Sequence, residues 1–415
     1  MAEETQDQNV FSVMVSPIMD ILQQGQESYD IDAATYNLSF HKFLLNMLFG
    51  IFNGFSSIRM IITQITTTEV ARKLGLITAS KTAYSEAFHR YSPEQFKLLF
   101  IALLKTVPFI AIPELHSLGQ FYLVDGSVFP AISSMVWAQY KSNSNAIKLH
   151  LSFNLNRMIP VQFLCTDGKW SERKFLASII ERGITYICDR GYVSFNTFHD
   201  IVENGASFIM RGKGNMVFST VATLPVVIQG NLINLMTAVS DIKVVFSNDP
   251  HKHEYRIVSF IAGSESYLLI TDRLDLLTYQ VIMLYAYRWQ VELMFRLLKR
   301  TMKGLHLMAH HPQGIEVQFY LYLIAYLLLL TFKQKCAVAK TSSQTFLKHI
   351  DTCEAIESNE NSRAAIRSGG RHYVCGLVTM LGEKLKEYWK FGIHWLATMR
   401  NSLLMPIQLA MQFLA

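Results

Sequence analysis

Residues 184–192 read Ile-Thr-Tyr-Ile-Cys-Asp-Arg-Gly-Tyr. The first five are apolar or β-branched and do not alternate, the pattern of a short strand buried on both faces of a parallel sheet. The run stops at Asp189, and the carboxyl end of such a strand is where open α/β sheets place ligand sites. On either side of this stretch, residues 171–182 and 194–204 have helical spacing, and Phe208-Ile-Met-Arg211 gives a further strand. Upstream, Phe121-Tyr-Leu-Val-Asp125, residues 146–153 and residues 158–165 read as three successive strands.

Three strands, helix, strand, helix, strand is the order of an RNase H-like core, so the expected fold class is α/β, with a mixed five-stranded sheet and helices. Residues from about 214 to 272 then form a string of short β segments, among them Lys243-Val-Val-Phe246 and Tyr267-Leu-Leu-Ile-Thr271. They are expected to be a β-rich insertion and not a continuation of the core. Helical periodicity resumes near Leu276. The expected organisation is a helical region over 1–115, the α/β core over 116–332 and a second helical region over 333–415. Within the first, Thr68 to Tyr91 resembles either a helix-turn-helix with Lys81, His89 and Arg90 on its second helix, or an ordinary helical hairpin.

Of 415 residues, 50% are hydrophobic and 17% charged, which excludes a disordered tail. The formal charge of +6 leans toward a polyanionic partner without requiring one. Five cysteines without a Cys-x-x-Cys pair form neither a zinc framework nor a disulfide set. They read as reduced thiols in a cytosolic protein. The polar, acidic start lacks the pattern of a secretory signal. The apolar stretch Phe319–Phe332, bracketed by Gln318 and Lys333, falls short of the roughly 20 residues a membrane span needs and is expected to be a buried helix.

Three acids stand where burial is costly unless they have a task. Asp125 closes an apolar run, with Gly126 after it for a close turn, and Asp189 closes another. Glu292 is the one acid between Leu277 and Lys303, among the bases Arg288, Arg296, Lys299, Arg300 and Lys303. On one continuous helix, Tyr285, Glu292 and Lys299 share a face. Carboxylates that converge on a pair of hard cations are what two-metal phosphoryl transfer requires, and basic neighbours suit phosphate contacts.

Tyr285-x2-Arg288-x3-Glu292-x6-Lys299 resembles the Y-R-E-K signature of DDE transposases of bacterial insertion sequences, the fourth insertion-sequence family. Asp125-Gly-Ser resembles that family's first catalytic block and Asp189-Arg-Gly-Tyr its second. Lys148-Leu-His150 and Pro160 look like its second and third strands, and Thr271–Asp275 like its lead-in to the last block. The resemblance covers about residues 119–332. Residues 190–291 between the second and third acids are too many for a bare core and fit an insertion.

The resemblance implies metal-dependent DNA cleavage at the ends of a mobile element and strand transfer into target DNA. Asp125, Asp189 and Glu292 would be the catalytic residues and the ligands of two Mg2+ ions, with Mn2+ as a possible substitute. Tyr285, Arg288 and Lys299 would contact phosphates, with Arg296, Arg300, Lys303, Arg190 and Arg211 adding affinity. Trp289 would either stack on a displaced base or pack in the core. The expected partners are the terminal repeats and target DNA, bound by a homodimer, in the bacterial cytoplasm at the nucleoid and not at a membrane. Region 1–115 would bind DNA ends and 333–415 would support dimerisation. A nuclease without strand transfer and a decayed DNA-binding product remain alternatives. His251, His253, His306, His310 and His311 read as structural or surface residues; adjacent His310 and His311 point apart on any regular element.

Overall fold

The computed structural model describes residues 10–25, 36–68, 71, 74–107, 112, 115–141, 144–228 and 236–342. The described residues fall in two compact units, one within residues 1–108 and 297–342, the other within residues 109–296. The helical region expected beyond residue 342 lies outside the described residues.

In the first unit, apolar spacing and capped ends produce α1 (Val10–Gln24), α2 (Phe40–Phe52), α3 (Ile58–Thr67), α4 (Lys81–Arg90), α5 (Pro93–Thr106) and a long last helix, α10 (Pro312–Ser342). Ser57 and Ser80 accept from the amides of Met60 and Ala83 at the starts of α3 and α4. Phe43 of α2 packs against Phe88 and Tyr91 at ring separations of 5.1 and 5.7 Å. Of the pair of helices expected over 68–91, the first falls on residues 69–70 and 72–73, outside the described residues, and the second is α4. Two of its bases are engaged within the unit: His89 stacks on His311 at 3.7 Å and Arg90 lies 3.4 Å over the Tyr36 ring.

The apolar stretch read as too short to cross a bilayer belongs to a longer helix. Its Pro312–Phe332 portion is long and apolar enough for a span by length and composition. Gln318, read as a polar bracket, is buried inside that helix; its amide donates to the His306 carbonyl and the Tyr322 hydroxyl and accepts from the Met308 amide. A polar side chain satisfied within the fold does not end an apolar helix. The stretch is 72% buried, and α10 packs on α1, α2, α4 and α5.

In the second unit the strands are β1 (Gln120–Ala131), β2 (Gln139–Lys141), β3 (Ser144–Asn154), β4 (Ile159–Asp167), β5 (Ile184–Cys188) and β6 (Ser207–Arg211). β1 pairs antiparallel with β3, which pairs with β4; β1, β5 and β6 run parallel. This large mixed sheet with its helices is consistent with an RNase H-like fold. As its residues suggested, β5 is buried at every position. β7 (Phe218–Thr223), β8 (Thr237–Phe246), β9 (Glu254–Ala262) and β10 (Glu265–Thr271) do not make a sheet of their own. β10 pairs with β6, so they extend one ten-stranded sheet. An unpaired β6 edge would leave ladder groups open, and β10 satisfies them. Beneath, Phe198 of α7 (Phe195–Glu203) stacks on Phe208 at 4.4 Å and meets Tyr255 of β9 at 5.4 Å, so a single core spans both sets of strands. The remaining helices of the unit are α6 (Glu172–Ser178), α8 (Thr278–Ala286) and α9 (Trp289–Arg296).

The segment from Leu277 to Lys303, read as one helix, is instead broken. α8 ends at Ala286; the amides of Arg288, Gln290 and Val291 then bond three residues back. After α9, Leu297–Thr301 is wound as a π-helix, and Lys303 takes a left-handed φ of 57°. Gly304 follows because a Cβ there would lie 2.7 Å from the Leu298 carbonyl oxygen. Residues seven apart therefore do not share one helical face across this segment.

His150 on β3 is fully buried against Trp170 and Phe175. The Thr166 hydroxyl donates to the Asp167 carbonyl, so His150 Nε2–H donates to Thr166 Oγ1 at 3.0 Å and Nδ1 is unprotonated. Burial, helped by Lys148, pushes its pKa from 6.5 down to about 4. The unfolded chain takes up this proton first, so the stabilisation is complete above pH 6.5 and is lost as pH falls toward 4. The loss should reach roughly 3 kcal/mol, and His150→Gln should flatten it in urea unfolding measured on both sides of the window. An equal acid slope in the variant would show that His150 does not carry the effect.

Candidate active site

Parallel pairing between β1 and β5 ends at Val124 and Cys188, which puts Asp125 and Asp189 at the next positions of two neighbouring strands. Asp125 does not close its strand, as its sequence suggested. β1 runs on to Ala131, held by β3 through Asp125↔Leu151 and Gly126↔His150. Gly126 therefore serves close approach and not a turn: a Cβ there would meet Lys148 Cε at 3.0 Å and Glu172 Oε1 at 3.1 Å. Asp189 starts the tight turn Arg190–Tyr192, yet its side chain makes no capping hydrogen bond. It accepts instead from the Tyr285 hydroxyl, at a long 3.5 Å.

Tyr285 lies in the last turn of α8, Arg288 occupies the joint and Glu292 lies in α9, which packs on β1. Arg288 contacts Glu292 Oε1 at 2.5 Å and Asp125 Oδ2 at 3.6 Å. Burial works against its charge, but Tyr285, Glu292, Asp125 and Asp189 together hold its pKa above the ordinary value. Burial lifts Asp125 to about pKa 6, against the pull of Arg288 and the Gly126 amide and with a further push from Glu292 and Glu172. Tyr285 is likewise raised, chiefly by burial, so its hydroxyl stays a donor.

Glu172, at the start of α6, was not singled out in the sequence. It pairs with Lys148 at 2.7 Å, and its carboxylate fills the space that a Cβ at Gly126 or Gly191 would need, at 3.1 and 3.0 Å. Only the folding of β1, β3 and β5 brings it beside Asp125, so no local pattern marks it; a glycine one or two residues after each aspartate is the faint signal. Around Arg288 and Lys148, four carboxylates face two cations, an excess of two negative charges. Hard oxygen donors with that excess fit divalent cations of the magnesium class.

A family model described as a transposase DDE domain matches residues 116–328, just over half of the chain. The chain belongs to the DDE transposases. Two curated relatives agree. "Putative transposase y4zB" of Sinorhizobium fredii is 27% identical over 213 residues, 50% of this chain and 59% of that protein. "Putative transposase for insertion sequence element IS4SA" of Synechocystis is 23% identical over 216 residues, 51% of this chain and 59% of that protein. The chain thus spans somewhat over half the length of these relatives. DDE transposases use divalent metal ions, in keeping with the donor set.

In this transposase chain the other expected DNA contacts are more dispersed. Arg190 is exposed on the turn after Asp189. Arg211 pairs with Glu265 at 3.1 Å and lies 4.4 Å over the Tyr267 ring. Arg296 ends α9 with its guanidinium 5.9 Å from the half-buried Trp289 ring. Lys299 and Arg300 lie in the π-wound turn and Lys303 just beyond it, all three in the first unit.

Proposed function

We propose that this transposase cuts phosphodiester bonds at the ends of a mobile element and joins the freed 3′-hydroxyl to target DNA. The supporting observation is that Asp125, Asp189 and Glu292 gather around Arg288, the two aspartates each one residue past the point where β1 and β5 stop pairing. These acids are the catalytic ligands of two Mg2+ ions, for which Mn2+ can substitute. When bound, the ions activate the attacking water or hydroxyl and stabilise the leaving oxygen. Tyr285 orients Asp189 with its hydroxyl, and Arg288 offers charge to the scissile phosphate beside the carboxylates it holds together. Lys299, Arg296, Arg300, Lys303, Arg190 and Arg211 add backbone affinity.

Residues 1–115 bind the element ends in this reading. Residues 116–332 are the RNase H-like core with β7–β10 as its insertion, and 333–415 support a homodimer that holds paired ends. The site of action is the bacterial nucleoid, and the burial of α10 favours a core helix over a span. The test uses DNA carrying the repeats that flank this reading frame, with Mg2+. Cutting at the repeat ends with a joined 3′ product supports the reading. Repeated cutting of unrelated DNA with no joined product would make it a nuclease, and binding without either would make it a decayed copy.

Lys299→Ala should weaken DNA binding several-fold and lower the dependence of log K on log salt by about one unit, as loss of one phosphate contact does. Titrations at a series of salt concentrations check this. An unchanged slope removes Lys299 from the contacts.

A further inference from the structure

Outside the carboxylate cluster, three imidazoles from two elements meet. His199 lies on α7; His251 and His253 lie in the turn between β8 and β9. One ring nitrogen from each falls within 4.8 Å of the others, and His199 Nδ1 stands 3.0 Å from His253 Nε2. The His199 and His251 rings stack at 3.7 Å with 6° between their planes.

The turn that presents them is pinned. Asp249 is fully buried, and its carboxylate accepts the His251 amide at 3.0 Å and the His253 amide at 3.2 Å. Lys252 between them takes a left-handed φ of 53°, and its ammonium donates to the Ser247 carbonyl at 2.8 Å. That conformation sends Lys252 one way and lets the two flanking imidazoles face α7 together. With both Asp249 oxygens committed to backbone amides, the three imidazoles are the candidate ligands, and Asn196 Oδ1 stands 3.4 Å from His251 Nε2 beside them.

We infer that His199, His251 and His253 form a site for one transition-metal cation of the zinc class, distinct from the carboxylate site. Imidazole nitrogens bind Zn2+, Co2+, Ni2+ and Cu2+ and are poor ligands for Mg2+, so the two sites sort cations by donor type. Tetrahedral zinc at about 2.0–2.1 Å from each nitrogen needs donors about 3.4 Å apart. The 3.0 Å pair is close to this, and a swing of the His251 ring out of its stack supplies the third ligand. Three protein ligands leave a fourth position for water. The cation would clamp the β8–β9 turn to α7, the helix that begins directly after the turn carrying Asp189.

The test is Zn2+ and Co2+ titration of the full chain in excess Mg2+, with thermal unfolding followed alongside. One Zn2+ per chain, a visible Co2+ band of low-coordinate type and a raised unfolding midpoint are expected. His251→Ala and His253→Ala should each weaken Zn2+ binding at least about a hundredfold, more than the loss usual for a residue behind the ligands. His306→Ala, in the other unit, should leave binding unchanged. His251 lies in a surface turn, so retained far-ultraviolet dichroism in His251→Ala separates lost ligation from lost folding. Zn2+ binding that is absent in the wild type, or equal in wild type and both alanine variants, overturns the site.

Discussion

Glu292→Gln leaves DNA binding in place and lowers Mg2+-dependent cleavage and joining about a thousandfold or more, equivalent to at least about 4 kcal/mol of transition-state stabilisation. The substitution keeps the side-chain volume and removes one of the carboxylates that makes the cluster an excess of negative charge. It also frees Arg288 from its 2.5 Å partner, so part of any loss could come from a displaced guanidinium. Asp189→Asn separates the two causes. Asp189 hydrogen-bonds to Tyr285, and no direct contact to Arg288 restrains it. Equal collapse in both variants with DNA affinity retained is the result expected of cation ligands. Cleavage by Glu292→Gln at the wild-type rate would displace the site altogether.

Asp241→Ala costs about 3–5 kcal/mol of stability, because it leaves a buried guanidinium without its counter-charge. Asp241 on β8 and Arg256 on β9 are diagonal neighbours, opposite Val258 and Lys243 respectively, at 1% and 3% exposure. Arg256 Nε donates to one carboxylate oxygen at 2.8 Å and Nη2 to the other at 2.6 Å; Nη1 donates to the carbonyls of Arg273 and Leu276. The Thr278 hydroxyl adds a bond to Asp241 at 2.8 Å, tying the start of α8 to the strands. For a unit of this size the unfolding midpoint should fall by roughly 10 °C. Replacing both partners with apolar residues should be milder than removing the acid alone. A single-variant loss below about 1 kcal/mol, seen by thermal dichroism, would mean that water reaches the pair.

The strands that carry or precede the candidate acids were legible because parallel core strands have a distinctive composition, and an acid at the end of such a run stands out. Asp125 and Asp189 were found that way although β1 does not stop at its acid. Arg288, Glu292 and Tyr285 were marked by spacing, yet the spacing implied a continuous helix. The chain instead breaks at Tyr287–Arg288 and unwinds after Arg296, where local bonding patterns outweigh periodicity. Partners remote in sequence were invisible: Glu172 beside Asp125, His199 beside His253, and the pairing of β10 with β6 all depend on tertiary folding. His251 and His253 read as surface residues because two imidazoles two positions apart say little until a third arrives from another element.

Asp125 rides on a strand fixed by ladder hydrogen bonds and Asp189 directly follows another, whereas Glu292 rides on α9, eight residues long, between a three-residue-bonded joint and a π-wound turn. Such a construction is built like a vice whose second jaw is free of the sheet's ladder. Turning a short helix between two loose joints alters the opening without breaking any sheet bond. On the function proposed above, a cleft that takes first a donor end and then a target strand would reset its grip by that one small movement.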